Sequence, residues 1–490
     1  MKLVVMKFGG TSVEDAAAMQ RTAAIVQGRI EGGAAPIVVV SAMAKVTDQL
    51  LAAAAAAGCG DRAGALAISD RLRERHLETS AQALAGPGGA DPLRDLQQGI
   101  HRDFDSLDEI LRGLSAVGEL TPRTSDLVVS FGERLSSRMV TAVFRQGGMD
   151  AEHVDARRCI VTDNQYGKAA PNSELIELRC RQQVLPLARR GRVSVMGGFI
   201  GSTSEGVTTT LGRGGSDFTA ALVGGAMQAE AIEIWTDVDG IMTADPRVCP
   251  DALRVKNISF EEAAELAYFG AKVLHPATIL PAVQKNIPVL VLNSRNAANE
   301  GTRITALAPQ GRSPFKSIAA KKRLTIIDLV ASRMLMSHGY LRAVFEVFDR
   351  HKCPVDMVST SEVSVSLSVD STEKLPELTA DLSKLADVKY EGRKALVCLV
   401  GGNIRGQNGI AAQVFHAVRH VNVRMISQGA SEINMSFMIE EDDVEEAVRS
   451  LHAAFFADPD PEIFDVSARS LAGAAKGAAS GARAAQGAHR

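Results

Sequence analysis

The sequence is short of the features that mark several large classes of protein. Its six cysteines (Cys59, Cys159, Cys180, Cys249, Cys353, Cys398) are scattered, with no Cys-x-x-Cys and no Cys/His spacing. Neither a disulfide framework nor a structural zinc site is indicated, and a reducing cytoplasm is the expected location. Dense clusters of Lys and Arg are missing and the formal net charge is -3. A duplex nucleic-acid binder needs a basic footprint to displace counterions, so no nucleic-acid partner is expected. Long apolar runs are missing too. Leu3 to Met6 stops at Lys7, too short for a signal peptide, and no other uninterrupted run could span a bilayer, so no membrane partner is expected.

What is present is a chain of 490 residues, 46% hydrophobic and 23% charged, long enough for two to four domains of ordinary globular composition. Its most informative stretch is Thr208-Thr-Thr-Leu-Gly-Arg-Gly-Gly-Ser-Asp217, followed by the apolar run Phe218 to Leu222. The threonines predict a strand or turn, Gly212 to Gly215 a loop whose backbone approaches something closely, and Ser216 onward a helix. Arg213 offers a planar fork for a carboxylate or phosphate. Gly214 and Gly215 expose N–H groups free of side chains, and Ser216 and Asp217 suit a helix cap or a ligand's polar groups. A strand-to-helix turn with an incidental arginine would read the same way, so the rest of the chain has to decide.

Other loops of the same kind precede it. Leu3-Val-Val-Met6 predicts a buried strand ending at Lys7-Phe-Gly-Gly-Thr-Ser12, with a helix over Glu14 to Arg29. Strand, glycine turn and helix N-terminus make an anion site to which Lys7 adds a point charge, although a tight turn with a surface lysine fits equally. Pro36 to Val40 predicts a strand running into the loop Ser41 to Thr47. Asp48 to about Leu114 predicts helices broken at Gly86 to Pro92. Leu127 to Ser130 is expected to lead into Phe131-Gly-Glu133, with a helix over Arg134 to Gln146. That places Glu133 where it either holds an ammonium group or only satisfies the dipole of a helix's first turn. Strands are expected at Val193 to Met196, Ala231 to Trp235 and, as the last before a polar loop, Ile287 to Leu292. Short β-branched runs alternating with helices predict an α/β fold, a mostly parallel sheet between helices, with the ligand outside the carboxyl ends of the strands. Lys7, Thr47, Glu133, Phe199, Thr236 and Asp237 are all expected at or just past such ends.

Five motifs in this order, Lys7-Phe-Gly-Gly-Thr-Ser-Val13, Phe131-Gly-Glu133, Thr209 to Asp217, Thr236-Asp-Val-Asp-Gly240 and Phe269-Gly-Ala-Lys-Val-Leu-His-Pro276, make the chain resemble the aspartate kinases of the amino-acid kinase superfamily, from Met1 to about Phe456. The resemblance implies transfer of the γ-phosphoryl of ATP, carried with Mg2+ held mainly by its phosphates, to the side-chain carboxylate of L-aspartate. That nucleophile is ionised at neutral pH and needs no general base. By the same resemblance Lys7, Gly9 and Gly10 grip phosphate, and Arg213 takes the α-carboxylate. Thr47, Phe199, Ser216 and Asp217 line the substrate site, with Glu133 and Asp217 near the ammonium, so that Lys7, Arg213 and Asp217 carry the catalysis. Thr236, Asp237, Arg247 and Lys272 fall on the nucleotide side, although by spacing alone Lys272 reads as a solvated helix lysine. Met242 stands where relatives carry an aromatic residue near the adenine, and a thioether can pack on a purine face. His275 looks like a helix-end packing residue. No Gly-x-x-x-x-Gly-Lys-Ser/Thr run occurs, so ATP would be held without a P-loop.

Beyond Arg303 the glycine loops cease, Gln310 to Pro314 reads as a linker, and a repeat appears. Val344-Phe, His351, Val355-Asp-Met-Val and Ser361 to Leu367 match Val414-Phe, His420, Val423-Arg-Met-Ile and Ser431 to Phe437. Helix followed by two alternating strands, twice, resembles a tandem pair of α+β ACT domains (βαββαβ), the family's amino-acid sensors; two small domains serving only dimerisation would share the pattern. The expected boundaries are a catalytic domain over 1–303, a linker over 304–316, ACT domains over 317–392 and 393–460 with strands able to interleave, and a disordered Ala/Gly-rich tail over 461–490. Resemblance to the lysine-sensitive class puts an effector pocket at Met334, Ser337, Gly339, Tyr340, Leu341, Val355, Asp356, Ser361 and Glu362. The two acids there suit a cationic amino acid, lysine before threonine. A homodimer or larger assembly through the ACT domains is implied. Competing readings are a catalytically inactive amino-acid sensor, opposed by the presence of Lys7, Arg213, Asp217 and Lys272, and a kinase for another acidic amino acid, opposed by the full motif set. The tail's charges, Arg469, Lys476, Arg483 and Arg490, recur every seven positions, but its glycines each cost about 1 kcal/mol of helicity.

Overall fold

The computed structural model describes residues 2–86, 89–270, 276–330, 338–370 and 373–466. Two compact units emerge, one formed by Met1–Gly240 with Val273–Leu307 and the other by Ile241–Lys272 with Ala308–Arg490. The chain passes from the first unit to the second between Leu307 and Ala308, within the linker expected over 304–316, but residues 241–272, expected in the catalytic domain, group with the second unit. Of the tail expected to be disordered over 461–490, residues 467–490 lie outside the described residues, but Phe464–Asp465 form a short strand paired antiparallel with Arg254–Val255.

The first unit is built on a sheet of β1 (Lys2–Phe8), β2 (Ala34–Val40), β3 (Ala151–His153), β4 (Val193–Gly197), β7 (Ala231–Thr236), β8 (Val289–Asn293) and β9 (Thr302–Thr305). They run in the spatial order β3-β4-β2-β1-β7-β8-β9. Every neighbouring pair is parallel except β8 and β9, where Val289 faces Ile304. β9, not expected from the sequence, is short and half exposed. The central strands Leu-Val-Val-Met and Ile-Val-Val-Val are buried almost throughout, as strands covered on both faces must be, and each such side chain contributes roughly 2 kcal/mol by leaving water. A small hairpin of β5 (Ile200–Ser202) and β6 (Thr208–Thr210) follows β4.

Helices α1 (Ala16–Glu31), α2 (Val46–Gly58), α3 (Arg62–Ala83), α4 (Ala90–Val117), α5 (Pro122–Gln146) and α6 (Gly215–Met227) belong to the same unit. Caps set several of the starts: the Asp15 carboxylate accepts from the Ala18 N–H, and the Thr121 hydroxyl from the Thr124 N–H. Asp91 and Pro92, expected in a flexible break, lie in the first turn of α4 instead. The larger departure is α5. Leu127 to Ser130 is not a strand before a loop; it lies inside a helix of 25 residues that starts at Pro122. Val128 and Val129 suggest a strand locally, but Thr121 as cap and Pro122 at the first position select the helix, and its packing against the sheet supplies the stability.

The second unit carries a six-stranded antiparallel sheet. Its strands are β10 (Ser317–Val330), β11 (Met357–Thr360), β12 (Ser364–Val369), β13 (Asp387–Val400), β14 (Met425–Gln428) and β15 (Asn434–Glu440), in the order β11-β12-β10-β13-β15-β14. Helices α7 (Phe260–Tyr268), α8 (Tyr340–Arg350), α9 (Leu375–Leu382), α10 (Ile410–Ala417) and α11 (Val444–Phe455) accompany it. The repeat is real in three dimensions but interleaved. β10 and β13 are 14 residues each and pair along their length, with an irregular register between Lys321 and Ile326. The N-terminal half of β10, which precedes the second copy by some 75 positions, pairs with β13 from Leu396 to Val400 and completes that copy's sheet.

Candidate active site

A cavity of about 570 Å³ opens in the first unit at the carboxyl ends of its strands. Lys7, near the end of β1, reaches it from the sheet and is 9% exposed; its Nζ lies 2.7 Å from Asp217 Oδ1. Asp217 stands in the first turn of α6, whose N-cap, Gly214, has φ +70°. That left-handed position suits glycine, and it frees the backbone to bring Gly214, Gly215, Ser216 and Asp217 to the cavity wall. The Gly215 N–H donates to the Gly212 carbonyl at 3.0 Å, but first-turn N–H groups have no acceptor within their own helix, so with Ser216 and Asp217 this end of α6 presents donors and a positive dipole to an anion. Arg213, one residue earlier, is exposed, lines the same cavity and forms no ion pair with a described residue.

Glu133 lines the same cavity. It lies in the middle of α5, not in a helix's first turn and not at a strand's end, and is 3% exposed. The correction matters chemically, because a first-turn acid serves the dipole whereas a mid-helix acid buried beside a cavity requires a partner. Oε1 accepts from the Ala42 N–H at 3.2 Å, while Oε2 is buried without one. Burial pushes its acid up to about 8, against the smaller opposing effect of that N–H. Gly197, at the end of β4, makes the placement possible: a Cβ there would come within 2.9 Å of the Glu133 Cβ and carbonyl oxygen. Phe199, two residues on, holds φ +66°. For a phenylalanine this costs about 1–3 kcal/mol, and such strain clusters at ligand clamps. Its N–H donates to Thr219 Oγ1 at 3.0 Å and its carbonyl accepts from the Leu211 N–H at 2.9 Å. Thr47 comes from the first turn of α2 and lines the cavity as well.

Lys7, Gly10, Thr47, Glu133, Phe199, Arg213, Ser216 and Asp217 are thus brought together. The other expected residues that the structure describes are not on this wall. The Gly9 N–H is committed to the Trp235 carbonyl at 3.1 Å. Thr236 donates to Asp237 Oδ1 at the end of β7. In the second unit the Met242 carbonyl accepts from Ser317 Oγ, and Arg247 is exposed and tied to Asp245 at 2.6 Å. Lys272 and His275 lie outside the described residues. Conversely, the wall includes Lys45, Asp48, Ser125, Asp126 and Gly167, which sequence reasoning passed over. Asp126 was within reach: once α5 is read from Thr121-Pro122, Asp126, Val129 and Glu133 fall on one helix face.

Among the expected effector residues, Asp356 has its side chain 4% exposed. Its Oδ1 accepts from Lys321 Nζ at 2.8 Å and from the Tyr268 hydroxyl at 3.1 Å, and Oδ2 is buried without a donor. The Tyr340 hydroxyl, at the start of α8, is likewise buried and unpartnered. Gly339 caps that helix at φ +84°. Leu341 and Glu362 are exposed, Val355 is half-buried, and Ser361 Oγ meets Ser364 Oγ at 2.7 Å. Met334 and Ser337 lie outside the described residues.

Comparison with known proteins bears on the family and the fold. Residues 2–293 match the model of the amino acid kinase family, and residues 397–455 that of an ACT domain. The chain is 37% identical over 473 residues to the lysine-sensitive aspartokinase 3 of Escherichia coli, covering 93% of this chain and 99% of that protein. Chloroplastic aspartokinase 2 of Arabidopsis thaliana is also 37% identical, with 92% and 84% covered. Among solved structures, E. coli aspartokinase III in complex with aspartate and ADP superposes with a TM-score of 0.79 at 36% identity, covering 93% of this chain and 100% of that one. The same enzyme with lysine and aspartate gives 0.78.

Proposed function

The chain belongs to the aspartokinases of the amino acid kinase family, and from that premise we propose how its cavity works. The reaction is transfer of the ATP γ-phosphoryl to the side-chain carboxylate of L-aspartate. Arg213 holds the substrate's α-carboxylate, and Glu133 Oε2 accepts from its ammonium, with Thr47, Phe199 and Ser216 closing around the backbone of the amino acid. The side-chain carboxylate, already ionised, forms a bond to the γ-phosphorus as the bond to the β-phosphate oxygen breaks. 4-Phospho-L-aspartate and ADP leave, and no proton needs to be removed. Lys7, kept in place by Asp217, and the N–H groups at the start of α6 neutralise charge growing on the transferred group. Gly9 and Gly10 shape the turn beside the phosphates, while Thr236, Asp237, Met242, Arg247 and Lys272 serve the nucleotide. Mg2+, when bound, lowers the phosphates' charge. We assign it no side chain.

The supporting observation is that Lys7, the Arg213 loop and Glu133, whose Oε2 is buried without a partner, line one cavity. A fitting test is trapping of the acyl phosphate with hydroxylamine. Hydroxamate that depends on both ATP and aspartate is expected, and its absence would overturn the assignment. We further propose that lysine is the effector, bound in the first ACT copy with an ammonium on Asp356 Oδ2, and that the chain assembles through its ACT domains. Among the described residues no helix is long and apolar enough to cross a membrane.

A further inference from the structure

Asp126 is buried to 3% exposure two turns before Glu133 on α5, and it accepts four hydrogen bonds from two distant segments. The Gly167 N–H reaches Oδ1 at 3.1 Å and Oδ2 at 3.0 Å. The Thr210 N–H reaches Oδ2 at 2.9 Å, and the Thr210 hydroxyl reaches Oδ1 at 2.7 Å. No Lys or Arg among the described residues pairs with it, so burial raises its acid against the pull of these donors. A charge left out of water with only backbone and hydroxyl donors is costly unless the arrangement it enforces is needed.

What it enforces is the root of the arginine loop. Thr210 ends β6, and Arg213 follows three residues later. Between them Gly212, at φ +77°, packs so closely on the other tethered segment that a Cβ would lie 3.2 Å from the Gly167 carbonyl oxygen. The Thr210 carbonyl in turn accepts from the Ala169 N–H at 2.8 Å. Arg213 itself makes no ion pair with a described residue, so its aim depends on the backbone that carries it. We propose that Asp126 is a positioning residue of the aspartokinase reaction, one that ties the 167–169 and 210–213 segments together and so fixes where Arg213 meets the substrate's α-carboxylate. The inference rests on the proposed role of Arg213. A carboxylate is needed because both oxygens accept; an amide would turn its own N–H groups toward the donors of Gly167 or Thr210.

The test compares the wild-type chain with Asp126→Asn and Thr210→Val, measuring KM for L-aspartate and for ATP. It also measures the preference for L-aspartate over its α-amide as a competing ligand. In Asp126→Asn the KM for aspartate rises about tenfold or more, KM for ATP stays within about twofold, and the preference for the α-carboxylate falls by the same factor as aspartate binding. Thr210→Val moves the same quantities in the same direction by less. An unchanged preference, or aspartate, its α-amide and ATP all weakened together, overturns the proposal. If Asp126→Asn does not fold, Thr210→Val decides by the same criteria. A wild-type chain that yields no hydroxamate instead overturns the kinase reading, whatever the variants do.

Discussion

At equivalent positions the two copies of the repeat carry Asp356 and Arg424, each between a valine and a methionine. Each donates its backbone N–H across the edge of the sheet, Asp356 to the Ser368 carbonyl at 2.9 Å and Arg424 to that of Met438 at 2.8 Å. The backbones agree and the charges are opposite. In the first copy Asp356 keeps Oδ2 buried and without a donor. In the second, both Arg424 Nη atoms lie 3.0 Å from the Glu391 oxygens, and Lys394 Nζ lies 2.9 Å from Glu391 and 2.6 Å from Glu440. The first copy's Asp356 thus retains an acceptor for an incoming ammonium, whereas the acids around Arg424, Glu391 and Glu440, are matched by Arg424 and Lys394. Glu133 in the catalytic unit belongs with the first kind, since it too keeps one oxygen out of water and unpartnered. Where a ligand's ammonium binds is therefore expected to follow unmatched buried carboxylate oxygens, not the fold that carries them.

Removing the charge from the most buried of these oxygens is the strongest way to break the comparison. Glu133→Gln keeps an acceptor for the Ala42 N–H but leaves an ammonium facing a neutral amide. KM for aspartate should rise about 100-fold or more, in line with the ~3–5 kcal/mol cost of breaking a buried charge pair. A change of less than about threefold in steady-state kinetics would mean that the ammonium sits elsewhere. Asp356→Asn asks the same of the first repeat. The lysine concentration giving half inhibition should rise by about 30-fold, the range for a charged hydrogen bond. An inhibition curve that does not move would place the effector outside this copy.

The pH dependence of aspartate binding sharpens the catalytic side of the comparison. With Glu133 pushed up to about 8, the empty site is mostly the neutral acid at pH 6 and becomes the anion above pH 8. The ammonium needs the anion, so KM for aspartate should fall as pH rises from 6 toward 8, by up to about tenfold per unit, and level off beyond. Aspartate binding near pH 7 should release a proton, measurable by calorimetry in buffers of different ionisation enthalpy. Both effects should vanish in Glu133→Gln.

How far this was legible in the sequence varied with distance along the chain. The loop from Gly212 to Asp217 carries its own signal, because glycines, a lone arginine and a helix start lie within six residues. The repeat was legible for a similar reason, since each copy spells out helix and strands in order. Glu133 was recognisable by its motif and misplaced by its neighbourhood, as Leu-Val-Val outweighed the Thr121-Pro122 start six residues earlier. Asp126 could not be read as a tether, because its partners Gly167 and Thr210 lie 41 and 84 residues away and only the folded sheet brings them together. The same holds for the N-terminal half of β10, whose pairing with the second copy no local pattern announces.

The second copy should respond least, and in a different quantity. Glu391 is drawn from 4.5 to about 2, first by the Arg424 guanidinium and then by Lys394. A carboxyl whose folded value is depressed contributes stability that is present above its unfolded value and lost as pH falls from there toward the folded one. Arg424→Met removes the larger of the two cations. The loss of stability should be small, since Lys394 still pairs with Glu391 and surface pairs contribute little, but it should be present at neutral pH and fade as pH falls from about 4.5 toward 2, as read by denaturant unfolding followed by circular dichroism across that range. The lysine titration should shift by less than about threefold, because Arg424 is paired with Glu391 and stands at no unmatched carboxylate oxygen. A shift as large as that of Asp356→Asn would mean that the second copy also takes part in holding the effector, and the distinction between unmatched and matched carboxylates would no longer locate the sensor.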